Sequence, residues 1–309
     1  MQKWFIALLV FFALGCASAD TYSTPKPGHW LLESTFLYWS QSPIPGLAGE
    51  SVLDFIIVNG APPSAPGATN NGIINKNLFG YNPGFRIAGT YAFSKSDFLA
   101  LLRWTQIKPS RERTVAGPYL IPFNTSPLGL GPYSGSALSN NYGKYQNGEL
   151  LIGKTILDQS PINMSLYMGL NYLHSDIITN TRYQSATTVQ FNRNHLWLNG
   201  LGPEFYIDNY IKLMTLKNGQ LSMRGSMQAG FIVVRGPVGE SYEITNGIIN
   251  TDFKTQVDWI VDPSFDLRLG LGYDAEVGKG IIGVQAGYEF LTYNIVSAHG
   301  PFVTLRIIL

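Results

Sequence analysis

The sequence predicts an all-β protein, an antiparallel transmembrane β-barrel of about ten strands, with a range of roughly 8–12. Three observations predict it. Apolar residues occupy every second position in segments along the whole chain, the connections between these segments alternate between short and long, and charged residues make up only 13% of the sequence. Typical soluble domains carry about 25% charged residues.

The alternation is clearest in "VDPSFDLRLGLGY", residues 261–273, where every odd position is apolar and Asp262, Asp266 and Arg268 lie between. A strict two-residue period is typical of strands, because successive side chains point to opposite faces. The same pattern runs through "PGFRIAGTYAF", "INMSLYMGLNY", "LSMRGSMQAGFIV" and "IIGVQAGYEF". "ELLIGKTIL" departs from it, since Lys154 shares the face of Leu150 and Ile152, so Lys154 is expected to reach a membrane interface.

The connections are predicted to fall into two classes. Residues 94–96, 158–160 and 276–279 read as tight turns, whereas residues 41–82, 108–143 and 236–258 are long and rich in Gly, Pro, Ser and Asn. Short turns at the periplasmic end and long extracellular loops are the arrangement of outer-membrane barrels. The link 208–219 is intermediate in length. Aromatic residues near both strand ends, among them Trp39, Tyr293 and Trp259 at the loop end, predict two interfacial belts.

The N-terminus predicts export. Lys3, the apolar run "WFIALLVFFAL" and Ala17-Ser18-Ala19 match a secretory signal peptide over residues 1–19, followed by a single barrel domain over residues 20–309. Removal of the signal takes away the only cysteine, Cys16, and leaves 20 acidic residues against an equal number of basic ones. A chain with no excess of basic residues lacks the positively charged surface that binds nucleic acid, so no nucleic-acid partner is expected.

A soluble β-sandwich also shows one apolar face per strand, so the character of the polar face decides between the two folds. That face carries Gly, Ser, Asn, Gln and charges of both signs, which is typical of a confined lumen. A lipid-facing Arg or Lys at mid-membrane costs roughly 2–4 kcal/mol, and the strand charges keep to one parity, Glu33 and Glu149 included. The residues predicted to face the lumen and line a pore are Arg86, Arg103, Glu204, Arg224, Gln228, Asp262, Asp266, Arg268, Gln285, Glu289 and Arg306.

Several stretches resemble the pore-forming major outer membrane protein family typified by Legionella and also found in chlamydia-like bacteria. The resemblance is carried by "NPGFRIAGTYAF" with "FLALLRWTQI", "LLIGKTI" with "INMSLYMGLNYLHSDI", "NGLGPEFYID" with "LSMRGSMQAGFIVV", and "FDLRLGLGYD" with "AGYEFLTYN". It implies a bacterial outer-membrane location, passage of small solutes through the barrel, and loops displayed at the cell surface.

The predicted function is a porin-like pore for passive diffusion of small solutes and ions. The alternative is a filled barrel whose long loops bind host-cell surface molecules, and an enzyme at the barrel rim is the least favoured hypothesis. Outer-membrane lipids are partners in every case, and a homo-oligomer is compatible with all three, although no residue marks a subunit contact.

Catalytic and metal signatures are weak. In "HSD", His174 and Ser175 are adjacent in a strand and therefore point to opposite faces, so they are not expected to meet as base and nucleophile. No His or carboxylate cluster has metal-ligand spacing, and no enzyme activity or cofactor is expected. Arg111, Glu112 and Arg113 lie in a long loop, either as a solvated surface run or, if that loop folds into the lumen, as a constriction.

Overall fold

The fold consists of long antiparallel strands. The computed structural model describes residues 24–43, 53–58, 72–76, 79–121, 133–184, 186–187, 189–256, 259–278, 280–293 and 296–309. In chain order the strands are β1 (Trp30–Pro43), β2 (Leu53–Val58), β3 (Gly72–Lys76), β4 (Tyr81–Ala92), β5 (Phe98–Ile107), β6 (Ser110–Ile121), β7 (Tyr133–Gln159), β8 (Ile162–Gln184), β9 (Val189–Leu216), β10 (Gly219–Thr245), β11 (Ile248–Gln256), β12 (Trp259–Val277), β13 (Gly280–Tyr293) and β14 (Val296–Ile308). In this part of the chain, no helix is long and apolar enough to cross a membrane. The predicted signal segment, residues 1–19, lies outside the described residues.

Ten of the strands close into a ring, in the order β1-β4-β5-β7-β8-β9-β10-β12-β13-β14. The first and last strands pair with each other, from Leu31 opposite Ile308 to Pro43 opposite Val296. The predicted antiparallel barrel and its strand number are confirmed. The turn end is the end of the ring with the short turns, the start of β1 and the end of β14; the loop end is opposite to it.

The two faces of each strand differ as the alternation predicts. On β12, Leu267, Leu269 and Leu271 are 48%, 55% and 56% exposed on the outside of the ring, whereas Asp262 and Asp266 are buried inside it. From Val261 to Tyr273 the outer face is apolar over about 40 Å of strand, or about 28 Å of height at a tilt of about 45°. An apolar band of that height matches the hydrocarbon layer of a bilayer.

Aromatic side chains border this band at both ends. Tyr38 and Tyr81 stack with ring centroids 5.3 Å apart at the loop end, and Trp30 packs on Tyr91 at 4.9 Å at the turn end. Lys154 lies on the outer face near the turn end, where its Nζ is 3.3 Å from Asp97 Oδ2. Lys154 therefore contacts the turn between β4 and β5.

Two aromatic predictions were wrong. Trp39 and Tyr293 were expected in the outer belt, but both are fully buried inside the ring. Their neighbours in the chain explain the difference. Tyr38 takes the outward position beside Trp39, and adjacent residues on a strand cannot share a face.

The described residues of the long connections are largely strand rather than irregular loop. β7 to β10 are 27, 23, 28 and 27 residues long, more than twice the roughly 9–11 residues that cross a bilayer. β6 pairs with the upper part of β7, β2 pairs with β6 and β3, and β11 pairs with β10 through the Asn246-Gly247 turn. Both turn residues have positive φ, 50° and 85°, as a two-residue hairpin of this type requires.

A sheet in the order β3-β2-β6-β7-β8-β9-β10-β11 therefore rises above one side of the ring, and is called the outer wall below. Residues 108–121 and 133–143 of the predicted loop 108–143 are part of it, and residues 122–132 lie outside the described residues. The link 208–219 also proves to be strand, because β9 and β10 continue to a tight turn at Lys217-Asn218. On the opposite side of the ring, β13 ends at Tyr293 and β14 begins at Val296, both near the aromatic belt of the loop end.

Candidate functional site in the barrel lumen

The lumen is occupied by side chains from all around the ring. Of the residues predicted to face it, Arg268 is partly buried and the others are buried inside the ring, namely Arg86, Arg103, Glu204, Arg224, Gln228, Asp262, Asp266, Gln285, Glu289 and Arg306. Their alternation with lipid-facing residues places them inside. Rather than standing apart around an open channel, most of them contact one another.

Arg103 on β5 is at the centre of the first group of contacts. Its Nε donates to Glu149 Oε2 on β7 at 2.6 Å, and its Nη2 donates to Gln228 Oε1 on β10 at 2.5 Å. Glu204 Oε1 on β9 is 4.0 Å from Nη2, and the guanidinium lies 4.7 Å from the centroid of the Tyr206 ring. Because β5 and β10 lie on opposite sides of the ring, these contacts cross the lumen.

Arg86 on β4 makes a second crossing. Its Nη2 donates to Glu289 Oε1 on β13 at 2.6 Å, and its Nε donates to Thr105 Oγ1 at 2.9 Å. β1 and β14 lie between β4 and β13 in the ring, so this ion pair also bridges strands that are not neighbours. The central charged layer is defined by Arg86, Arg103, Glu149, Glu204, Gln228, Asp266, Arg268 and Glu289.

A third group of charges lies closer to the turn end. Arg224 forms an ion pair with Asp274. Arg306 Nε donates to Glu33 Oε1 at 2.8 Å, and Arg306 Nη1 lies 3.7 Å from Asp274 Oδ1. Each charge is therefore held by a partner, as burial demands.

Towards the loop end the interior is apolar. An apolar layer fills the ring there, formed by Leu37, Trp39, Phe79, Ile107, Tyr145, Leu173, Ile177, Leu198, Ile232, Val234, Leu291, Tyr293, Ala298 and Phe302. Arg268 joins the two layers, since its guanidinium lies 3.9 Å from the centroid of the Phe302 ring. Barrels of eight strands are filled by side chains, and this ring of ten is filled in the same way.

One small cavity is lined by described residues of the lumen. It has a volume of about 20 Å³ and adjoins the central charged layer on its turn-end side, with Thr24, Pro25, Glu33 and Asp208 among its lining residues. A volume of this size holds about one water. Thr24 and Pro25 precede β1, so the segment before the first strand covers this part of the lumen.

The other sequence-predicted positions lie outside the lumen. Arg111, Glu112 and Arg113 are on β6 in the outer wall, opposite Asn141, Asn140 and Ser139 of β7. Arg111 and Glu112 are exposed. These residues therefore do not lie in the lumen, where the constriction hypothesis places them. Their segment instead continues the wall of the barrel upward.

The "HSD" segment is split between the two faces of β8. Ser175 is 3% exposed on the inner face, whereas His174 and Asp176 lie on the outer face, where Asp176 Oδ1 is 2.8 Å from His195 Nε2. His174 binds Asn199 rather than Ser175, with its Nδ1 2.7 Å from Asn199 Oδ1.

Sequence reasoning missed several interior residues. Asp274 shares the parity of Asp262 and Asp266 and could have been found from it. Tyr206 likewise shares the parity of Glu204. Trp39 and Tyr145 carried no such signal, because an aromatic residue near a strand end suits a membrane belt as well as a lumen.

A closed barrel with an apolar exterior of bilayer height, two aromatic borders and charges confined to its interior defines a transmembrane β-barrel. The chain belongs to the family of the Legionella pneumophila major outer membrane protein precursor, whose family model matches residues 25–305. The protein is therefore a bacterial outer-membrane protein, with its turn end in the periplasm and its loop end outside the cell.

Solved outer-membrane barrels are similar to this chain at low identity. The outer membrane protease OmpT from Escherichia coli is 7% identical with a TM-score of 0.41, over 94% of this chain and 99% of that chain. A Pseudomonas aeruginosa FadL homologue is 7% identical with a TM-score of 0.21, over 92% and 90%. The P. putida toluene transporter TodX is 6% identical with a TM-score of 0.20, over 91% and 89%. Comparison with curated proteins gave no match.

Proposed function

We propose that the protein is a filled outer-membrane barrel that acts at the cell surface, where its outer wall binds molecules outside the cell, host-cell surface molecules included. The filled lumen is the observation that supports this proposal. Arg86–Glu289 and Arg103–Gln228 meet across the ring, and the apolar layer lies above them. On the outer wall, by contrast, Arg111 and Glu112 are exposed.

Removing the end of the β6–β7 hairpin tests the role of the wall. Replacing residues 116–136 by a two-residue Asn-Gly turn removes the upper β6–β7 pairs and the site where β2 attaches to β6. Apart from the Ser136–Gln184 pair, the ring keeps its pairs, because β5 pairs with residues 145–154 of β7 and β8 with residues from Ala137 onward. We expect the variant to assemble and to lose most of its adhesion to host cells, measured with bacteria that display it.

Replacing Lys217-Asn218 by Asn-Gly is the matched control, since it changes a two-residue turn at the periplasmic end of the same barrel. Adhesion of this control is expected to equal that of the wild type. Unchanged adhesion of the 116–136 variant would contradict the proposal that the wall is the binding surface.

A porin-like pore is the second candidate function. It is favoured by the polar character of the path from the periplasm, where the cavity lined by Glu33 and Asp208 leads directly to the central charged layer. In this function the apolar layer is the barrier, and small solutes and ions pass only when its side chains move aside.

Conductance across planar bilayers separates the two functions. The purified wild type is expected to leave the bilayer sealed, and frequent conductance steps would favour the pore. Trp39→Ala combined with Tyr293→Ala removes two of the largest buried rings and should produce a measurable conductance. Tyr38→Ala is the control, because Tyr38 adjoins Trp39 but faces the membrane and is 44% exposed.

A further inference from the structure

A polar row crosses the membrane-facing side of the barrel where the outer wall leaves the bilayer. The paired residues in this row are Gln106 on β5, Gln146 on β7, His174 on β8 and Asn199 on β9. All four lie on the outer face, since the residues next to them in each strand are buried inside. The pairing places them side by side across four neighbouring strands.

The height of this row follows from the row below it. One step lower, Trp104, Gly148, Tyr172 and Leu201 are paired in the same way, and Tyr172 and Leu201 are 40% and 52% exposed to the lipid side. Two residues of strand cover about 7 Å. The polar row therefore lies directly above the aromatic belt, at the level of the lipid headgroups.

The residues of the row hold one another in position. Gln146 Nε2 donates to Gln106 Oε1 at 3.1 Å. His174 Nδ1 lies 2.7 Å from Asn199 Oδ1, which also accepts from the Tyr172 hydroxyl at 3.3 Å. These contacts position three amides and an imidazole on the outer face.

The next row up adds charge and a large aromatic ring. Lys144 lies opposite Asp176, which in turn lies opposite Trp197. Asp176 is paired with His195 at 2.8 Å, and the His195 ring packs on Trp197 at 4.5 Å. Within the described residues Lys144 has no ion-pair partner within salt-bridge distance, so a positive charge remains at the headgroup level.

We propose that these two rows bind the sugar-phosphate headgroup of lipopolysaccharide in the outer leaflet. Lys144 and His174 suit a phosphate at the membrane surface, and the ordered amides suit sugar hydroxyls. Tyr172 and Trp197 offer rings against which a sugar can pack. The outer wall rises beside this site, so the saccharide of the lipid can contact a protein surface above the membrane. The opposite side of the barrel, formed by β13 and β14, has no such wall among the described residues.

Titration of the purified, detergent-solubilised barrel with lipopolysaccharide tests the proposal, with binding followed by native mass spectrometry and phosphatidylglycerol as the comparison anion. We expect tight binding of lipopolysaccharide and weaker binding of phosphatidylglycerol. In Lys144→Gln/His174→Ala/Asn199→Ala, the affinity for lipopolysaccharide should fall by about tenfold. Arg182→Gln is the matched control, because Arg182 lies on the same face of β8 but higher on the wall, and its affinity should stay within about twofold.

Equal affinity of the triple variant and the wild type would overturn the proposal, as would equal affinity for the two lipids or an equal loss in Arg182→Gln. If the triple variant does not assemble, Lys144→Gln alone is decisive: a loss of about threefold supports the site, and no loss overturns it. These results do not depend on whether the lumen conducts or the wall binds a host cell.

Discussion

Replacing Arg103 by methionine is expected to lower the free energy of unfolding by about 3–5 kcal/mol, because it leaves buried carboxylates without their cation. Arg103 contacts Glu149 and Gln228 directly and Glu204 at 4.0 Å, and both carboxylates are buried. Methionine fills similar space but supplies no charge. Equilibrium unfolding in urea, followed by tryptophan fluorescence in detergent micelles, measures the loss.

A compensated variant shows whether the charge imbalance is the cause. Arg103→Met combined with Glu149→Gln and Glu204→Gln removes the cation and both carboxylates together, and should recover more than half of the lost stability. Lys95→Met, in an exposed turn, is the surface control and should change stability by less than about 0.5 kcal/mol. The ion-pair account is wrong if Arg103→Met unfolds at the same urea concentration as the wild type.

Replacing Leu269 by arginine is expected to lower the free energy of unfolding by about 2–4 kcal/mol when the protein is in a bilayer, because the side chain faces hydrocarbon near mid-membrane. Leu269 is 55% exposed on the outside of the ring, so the space for a larger side chain exists and the cost arises from the charge. Unfolding from lipid vesicles measures it.

Val277→Arg is the matched control, since Val277 lies on the same face of β12 and is 56% exposed but lies at the turn end. There the same charge should cost only about 0–1 kcal/mol. Equal costs at the two positions would mean that the outside of the ring does not face hydrocarbon.

The alternation of side chains made the barrel predictable. In a sealed ring between lipid and lumen, each strand position has only two environments, and a charge is strongly disfavoured in one of them. Parity places Asp266, Arg268 and Glu289 on one face, and all three lie inside the ring. The same rule predicts that Lys154, on the outer face, reaches the interface.

The contents of the lumen were less predictable. Parity says that Arg86 and Glu289 point inward, but not that their strands lie close enough for the two side chains to meet. That depends on strand tilt and ring diameter, which no local pattern contains. The outer wall was missed for a related reason. β6, for example, begins with Ser, Arg, Glu, Arg and Thr in succession, so it lacks the apolar alternation that identifies a strand within the membrane.

The pairing of β1 with β14 has a consequence for how the barrel is made. Thr35 Oγ1 and Thr304 Oγ1 are 2.9 Å apart although 269 residues separate them, whereas the other neighbours in the ring follow one another along the chain. Hairpins form fast and distant ends meet slowly, so this seam is the last join. An unsealed sheet has no stable place in lipid. We therefore expect insertion into the membrane and closure of the seam to occur as one cooperative step. A chain that has not closed the seam exposes two unpaired strand edges, β1 and β14, which can pair with other chains.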